Sequence, residues 1–137
     1  MPVIKDYYTV RLHDTDAAGI LFFANQFKMV HDMYEKFMIQ NGFPFKDRFA
    51  NGDYLLPIVH AESDYLAPLI TGDTVEIELA VERVGNTSFT LRYHIYDLDG
   101  HLVGKAKTIH VTMDPKTKKK IPLPTPFRQM LEGYKEG

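Results

Sequence analysis

The most regular pattern in the chain is an alternation in which Val75, Ile77, Leu79 and Val81 are interleaved with Glu76, Glu78 and Glu82. A period of two puts the apolar side chains on one face of a strand and the carboxylates on the other, as in a half-buried antiparallel strand. Gly85-Asn86 then reads as a hairpin turn, and Phe89, Leu91, Tyr93 and Ile95 repeat the alternation. Asp99-Gly100 is the strongest hairpin signal in the chain and leads into a last long strand over residues 102–113. Upstream, residues 55–66 are strand-like, with Pro57 marking an edge or a bulge, and residues 7–12 read as a first strand.

Between those two strands the period changes. Phe23, Phe27, Val30, Tyr34, Phe37 and Met38 recur at steps of three and four, which predicts a helix. Met29 and Met33 widen the stripe, so much of this helix is expected to be buried. Asp32 and Lys36 form an i,i+4 pair on the remaining face. Asn41-Gly42 supplies the left-handed stop, and Pro44 prevents resumption. Pro124 and Pro126 bracket the start of a short C-terminal helix over residues 127–134. The order is one strand, one long helix and four antiparallel strands. A single helix cannot cover both faces of a large sheet, so the workable geometry is an α+β fold in which a curved five-stranded antiparallel sheet wraps around one long central helix. The outer face and the sheet edges still need cover, which predicts a homodimer or homotetramer.

Composition narrows the classes. The 137 residues, 45% hydrophobic and 25% charged, predict a single domain spanning 1–137, with no repeat or linker. Zero cysteines exclude a thiol nucleophile, a disulfide framework and a cysteine-ligated zinc. A net charge of −2 argues against a nucleic-acid partner. The first ten residues show no signal-peptide pattern, and the longest uncharged stretch, 17–26, is too short to span a bilayer. A cytoplasmic protein with no membrane association is therefore expected. The basic run Lys116–Lys120 reads as a solvated loop, with an electrostatic handle for an anionic ligand as the sharper alternative. There is no G-x-S-x-G, P-loop or G-x-G-x-x-G motif.

The chemistry concentrates in Asp14-Thr15-Asp16-Ala17-Ala18-Gly19-Ile20-Leu21-Phe22-Phe23-Ala24-Asn25. A carboxylate precedes a small-residue turn that feeds the start of a buried helix. The amides at such a start are unpaired and lie at the positive end of the helix dipole. They can stabilise negative charge building on a carbonyl oxygen, while a carboxylate opposite them attacks the carbonyl carbon or activates water. An ester or thioester suits this equipment. On spacing alone the turn-cap reading of Asp16 is the better one, and Asp14 is its local competitor.

This segment resembles the signature of the 4-hydroxybenzoyl-CoA thioesterase family, which has the hotdog fold. The resemblance extends over the helix, Pro68, Gly72-Asp73 and the strands that follow. It implies an acyl-CoA thioesterase in which Asp16 is the catalytic carboxylate, as nucleophile or general base. It also implies that the backbone amide of Phe23 polarises the thioester carbonyl, at a site completed by a partner subunit. Leu56-Pro57-Ile58-Val59-His60-Ala61 and Phe22-Phe23-Ala24-Asn25-Gln26-Phe27 look like the 1,4-dihydroxy-2-naphthoyl-CoA hydrolases, which implies an aromatic acyl group. Short or medium aliphatic acyl-CoA, acyl carrier protein and a non-catalytic acyl-CoA-binding oligomer are the alternatives. Gly19, Phe22, Val59, His60, Thr87 and Ser88 are the expected substrate-binding residues. His60 would meet a polar acyl group or serve as an ordinary strand histidine, and Thr87 and Ser88 would line the pantetheine channel or simply follow a hairpin. No metal and no cofactor is expected, coenzyme A being part of the substrate. Arg83, Arg92, Lys105 and Lys107 are candidates for its phosphates by charge.

Overall fold

The computed structural model describes residues 3–46 and 52–136. Five strands, β1 (Ile4–Thr9), β2 (Ile58–Tyr65), β3 (Thr74–Val84), β4 (Ser88–Asp97) and β5 (Leu102–Val111), form one sheet in the order β1-β3-β4-β5-β2. Every neighbouring pair is antiparallel. Helix α1 (Asn25–Gln40) lies on one face, and α2 (Thr125–Glu132) closes the same core from the C-terminal side.

The alternation predicted the strand faces. Val75, Ile77, Leu79 and Val81 on β3, and Phe89, Leu91, Tyr93 and Ile95 on β4, are all buried against α1 and α2. Register shifts at Val81/Arg83, Ile95/Tyr96 and Ile58/His60 break the ladders and add the local twist that curls the sheet. The helix presents Met29, Val30, Met33, Tyr34, Phe37 and Met38 to this concave face. Gly42 takes φ +84° after the last turn, and the Asn41 side-chain amide donates to the Phe37 carbonyl at 2.8 Å. Lys36 pairs with Asp32 at 3.5 Å and also with Asp6 of β1 at 2.9 Å, tying the helix to the sheet edge.

The regular part of β2 is shorter than the expected 55–66 and β5 ends at Val111 rather than 113, and three further boundaries differ from the sequence reading for a local reason. The first strand runs over 4–9 rather than 7–12, because the chain leaves the sheet at Val10, whose amide donates to the Asp73 carbonyl, and turns through a 3-10 segment at Leu12–Asp14. α1 begins at Asn25 rather than Phe23, so Phe23 and Ala24 form a turn just ahead of it. α2 begins at Thr125, with Pro126 in its first turn, where the missing amide hydrogen costs no hydrogen bond.

Candidate active site

Asp14 is fully buried and holds the loop together. Its carboxylate accepts from the Tyr8 hydroxyl at 2.7 Å, the Arg11 amide at 2.9 Å and the Lys28 ammonium at 3.0 Å. Burial alone would raise its pKa. The three donors outweigh that and hold the carboxyl below the usual range. Burial, and then the adjoining Asp14 charge, pushes the Tyr8 phenol up. The Asp14 carbonyl is used as well, accepting from the Phe22 amide and the Asn25 side-chain amide, each at 2.9 Å.

Asp16 stands differently. It lies in the exposed turn, with one carboxylate oxygen accepting the Ala18 amide at 2.9 Å. Its backbone closes the turn on both sides, accepting from the Gly19 amide at 2.9 Å and donating to the Ile20 carbonyl at 3.1 Å. Gly19 sits at φ +79°, a left-handed conformation that only a residue without a β-carbon adopts at little cost. Thr15 and Leu21 then pair across the loop. The cap reading of Asp16 is therefore part of its geometry, and the same cap leaves its second oxygen without a partner among the described residues.

The returning limb delivers the chain to α1. The Leu21 amide donates to the Leu69 carbonyl at 2.7 Å, and the Asn25 amide to the Phe22 carbonyl at 2.8 Å. The amides of Phe23 and Ala24 have no hydrogen-bond acceptor among the described residues. The N-cap, Ala24, has no side chain able to reach back and consume them. The Phe22 and Phe23 rings lie 4.8 Å apart, and both are exposed. Phe23, Gln26, Tyr65, Leu66 and Pro68 line a cleft of about 300 Å³ at this helix start. A second, mainly apolar groove of about 310 Å³ runs between α1 and β2, past Lys28 and His31 to Tyr93 and Thr108.

The remaining expected residues do not join Asp16 within one chain. Val59 and His60 lie at the beginning of β2, exposed on the sheet edge, with the His60 imidazole 3.0 Å from Glu62. Thr87 lies in the turn before β4, where its carbonyl accepts from the Thr112 amide and hydroxyl, and Ser88 is the first residue of β4, opposite Val111. The register puts both groups at one end of the sheet and Phe23, through Tyr65, at the other. Among the candidate phosphate ligands, Arg92 is bound by Glu78 at 2.9 Å and Glu136 at 2.6 Å, and Lys107 pairs with Glu82 at 3.0 Å. These two cations are neutralised on the sheet face away from α1. Asp97, Asp99 and His101 have ligand atoms within 4.8 Å of one another, at the β4–β5 hairpin. Asp97 already accepts the Asp99 and His101 amides there, which accounts for the cluster as a turn.

Sequence reasoning missed Gln26 and Tyr65. Gln26 is 2% exposed and donates to the Ser63 hydroxyl at 2.6 Å and the Asp64 carbonyl at 3.0 Å. Its place was legible, since Gln26, Met29, Val30 and Met33 share the stripe at steps of three and four. Its side chain lies over Gly104 of β5, where an added β-carbon would come within 2.7 Å of it. Tyr65 donates its hydroxyl to the Phe23 carbonyl at 2.6 Å, a contact between residues 42 apart that no local pattern announces.

Comparison with known proteins shows the family and the fold. The family profile of the thioesterase-like superfamily matches residues 10–131. A 1,4-dihydroxy-2-naphthoyl-CoA hydrolase from Rippkaea orientalis is 36% identical over 133 residues, covering 95% of this chain and 96% of that protein. The crystal structure of a 1,4-dihydroxy-2-naphthoyl-CoA thioesterase from Synechocystis superposes with a TM-score of 0.89 at 30% identity, covering 95% of this chain and 96% of that one. The structure of a gentisyl-coenzyme A thioesterase gives a TM-score of 0.84 at 26% identity, covering 93% and 99%.

Proposed function

The chain belongs to the thioesterase-like superfamily, with the α+β hotdog fold, and from that premise we propose that it hydrolyses an aromatic acyl-CoA of the 1,4-dihydroxy-2-naphthoyl type to the free acid and coenzyme A. The observation that carries the reading is local. One loop holds an exposed carboxylate, Asp16, on its outgoing limb and ends its returning limb in the unpartnered amides of Phe23 and Ala24. In this reading the thioester carbonyl oxygen sits at the Phe23 amide, at the start of α1. Negative charge develops on that oxygen when the carbonyl carbon is attacked, and a preorganised amide at a helix start stabilises it. Asp16 either attacks the carbon itself, expelling the coenzyme A thiolate and leaving an anhydride for water to open, or takes a proton from the attacking water. Neither route needs a metal or a cofactor. Asp14 is spent on Tyr8, Arg11 and Lys28, so Asp16 is the carboxylate left for chemistry.

The two groups of site residues at opposite ends of the sheet are reconciled by self-association. β2 is an edge strand carrying the exposed apolar residues Ile58, Val59 and Tyr65. Such an edge is a template for pairing with a second chain. Two copies of β2 paired antiparallel about a two-fold axis bring the start of one strand beside the end of the other. The partner's Val59 and His60 would then approach this chain's Tyr65 and Phe23. Gly19 and Phe22 would line the site from within the chain, and the partner's Thr87 and Ser88 would lie further along the same channel. We assign this activity to the whole of residues 1–137 as one domain, and expect it in the cytoplasm. No helix among the described residues is long and apolar enough to cross a membrane.

The test is release of free thiol from a panel of aryl and alkyl CoA esters. Aryl esters are expected to turn over fastest. Asp16→Asn is expected to lower kcat by about 10²–10⁴, the usual effect of losing an acid–base group. Full activity in that variant ends the assignment, and equal or faster turnover of alkyl esters ends the aromatic preference.

A further inference from the structure

Catalysis at a helix start depends on how firmly its free amides are held, and the two here are held by different means. The Phe23 amide belongs to the peptide joining Phe22 to Phe23. The carbonyl of that peptide accepts the Asn25 amide at 2.8 Å, a bond made by the turn itself. The Ala24 amide belongs to the next peptide. Its carbonyl, on Phe23, gets only a long contact of 3.4 Å from the Gln26 amide. The strong donor to that carbonyl comes from outside the turn, the Tyr65 phenol at 2.6 Å. A hydrogen bond accepted by a peptide's carbonyl polarises the whole unit and makes its N–H a better donor, while fixing the peptide plane.

We propose that Tyr65 is a positioning residue for the reaction: by donating to the Phe23 carbonyl it fixes and polarises the Phe23–Ala24 peptide, making the Ala24 amide a second donor to the developing oxyanion beside that of Phe23. The inference rests on the assignment of the thioester site above and adds to it both the second amide and the side chain that controls it. Three further features fit. Tyr65 and Phe23 line the same cleft. Gln26, in the first turn of α1, is bonded to Ser63 and Asp64, the two residues before Tyr65, so the end of β2 and the start of α1 are clamped as one unit. Gly104 lets that clamp close, since any β-carbon there would meet the Gln26 amide. Because β2 is the exposed edge, the phenol also links the oxyanion amides to the strand on which a second copy would pair.

Tyr65→Phe keeps the ring and removes only the donor. Measured on the full chain with an aryl CoA ester, kcat is expected to fall about three- to tenfold, the size of one hydrogen bond lost at the transition state, with KM changed by less than about twofold. The melting temperature and sedimentation coefficient are expected to match the unaltered protein, since the phenol lies at an exposed site. A packing role predicts no change in kcat, because the ring is retained, and that result overturns the proposal. So does a rise in KM alone, which would make Tyr65 a substrate contact, or a loss of kcat that tracks a change in assembly size. Asp16→Asn, run alongside, separates the two layers. If it is inactive while Tyr65→Phe keeps full kcat, only the Tyr65 inference fails, and if it is fully active the thioester site itself is misassigned.

Discussion

Two carboxylates stand two residues apart in one short segment and live in opposite environments. Asp14 points inward, fully buried, with a phenol, an amide and an ammonium on its two oxygens, and its backbone carbonyl anchors both Phe22 and Asn25. Asp16 points outward, exposed, with one amide on one oxygen. The inward group has both oxygens engaged in holding the loop to β1 and α1. The outward group keeps capacity for a substrate. The contrast separates a structural carboxylate from a candidate catalytic one within a single motif: the bonds to the buried Asp14 help set where the exposed Asp16 stands.

Removing each charge in turn sharpens the contrast. The largest effect is on turnover: Asp16→Asn loses the factor given above, yet its stability should stay within about 0.5 kcal/mol, as for an exposed substitution. A denaturation curve that shifts by more than that would mean Asp16 holds the loop as well. Next comes Asp14→Ala, which strands the Tyr8 hydroxyl and the Arg11 amide. Equilibrium denaturation should show a loss of about 2–4 kcal/mol. A change near zero would mean that water replaces the carboxylate and that the scaffold role is misread.

The smallest effects appear in pH titrations of stability. Because the Asp14 carboxyl is held below its usual range, its contribution is complete above the unfolded-state value of about 3.9 and is lost as pH falls through the folded value. The stability gap between the unaltered protein and Asp14→Asn should be constant above about pH 5 and should close below about pH 4. His110 acts in a separate window. Its ring stacks on Phe89 at 4.7 Å, and burial pushes its pKa down to about 4. Between about pH 6.5 and 4 the unfolded chain therefore binds a proton that the folded chain refuses, and stability is lost as pH drops through that window, by up to about 1.4 kcal/mol per unit. His110→Gln should flatten the curve there without altering the limb below it. An unchanged slope in that variant would assign the midrange pH dependence elsewhere.

How far the sequence was legible follows the range of the interactions. The β3 and β4 faces and the α1 stripe came from periods of two and 3.6, because burial on one face writes itself into every second or every third and fourth residue, and the hairpins came from the turn residues Gly85-Asn86 and Asp99-Gly100. The segment carrying Asp14, Asp16 and Gly19 was legible as a turn before a helix. Which aspartate is buried was not, since both sit at positions of the same parity and differ only in what β1 and α1 bring to them. His110 reads as an unremarkable strand residue until the parity of Ala106 and Thr108 is followed inward to a ring closed over by Phe89 and Tyr34.

By itself, then, the sequence determined the α+β fold, the strand faces and the loop that holds the candidate chemistry, because these depend on neighbours within about ten residues. Pro57 already marked β2 as an edge or a bulge, and the strand is an edge with a register shift near its start. Only the tertiary structure decided that Asp14 is locked while Asp16 is exposed, and that Tyr65 reaches Phe23. Each of those is a contact across the sheet or between sheet and helix. Its energy depends on a distance in space that no spacing along the chain encodes.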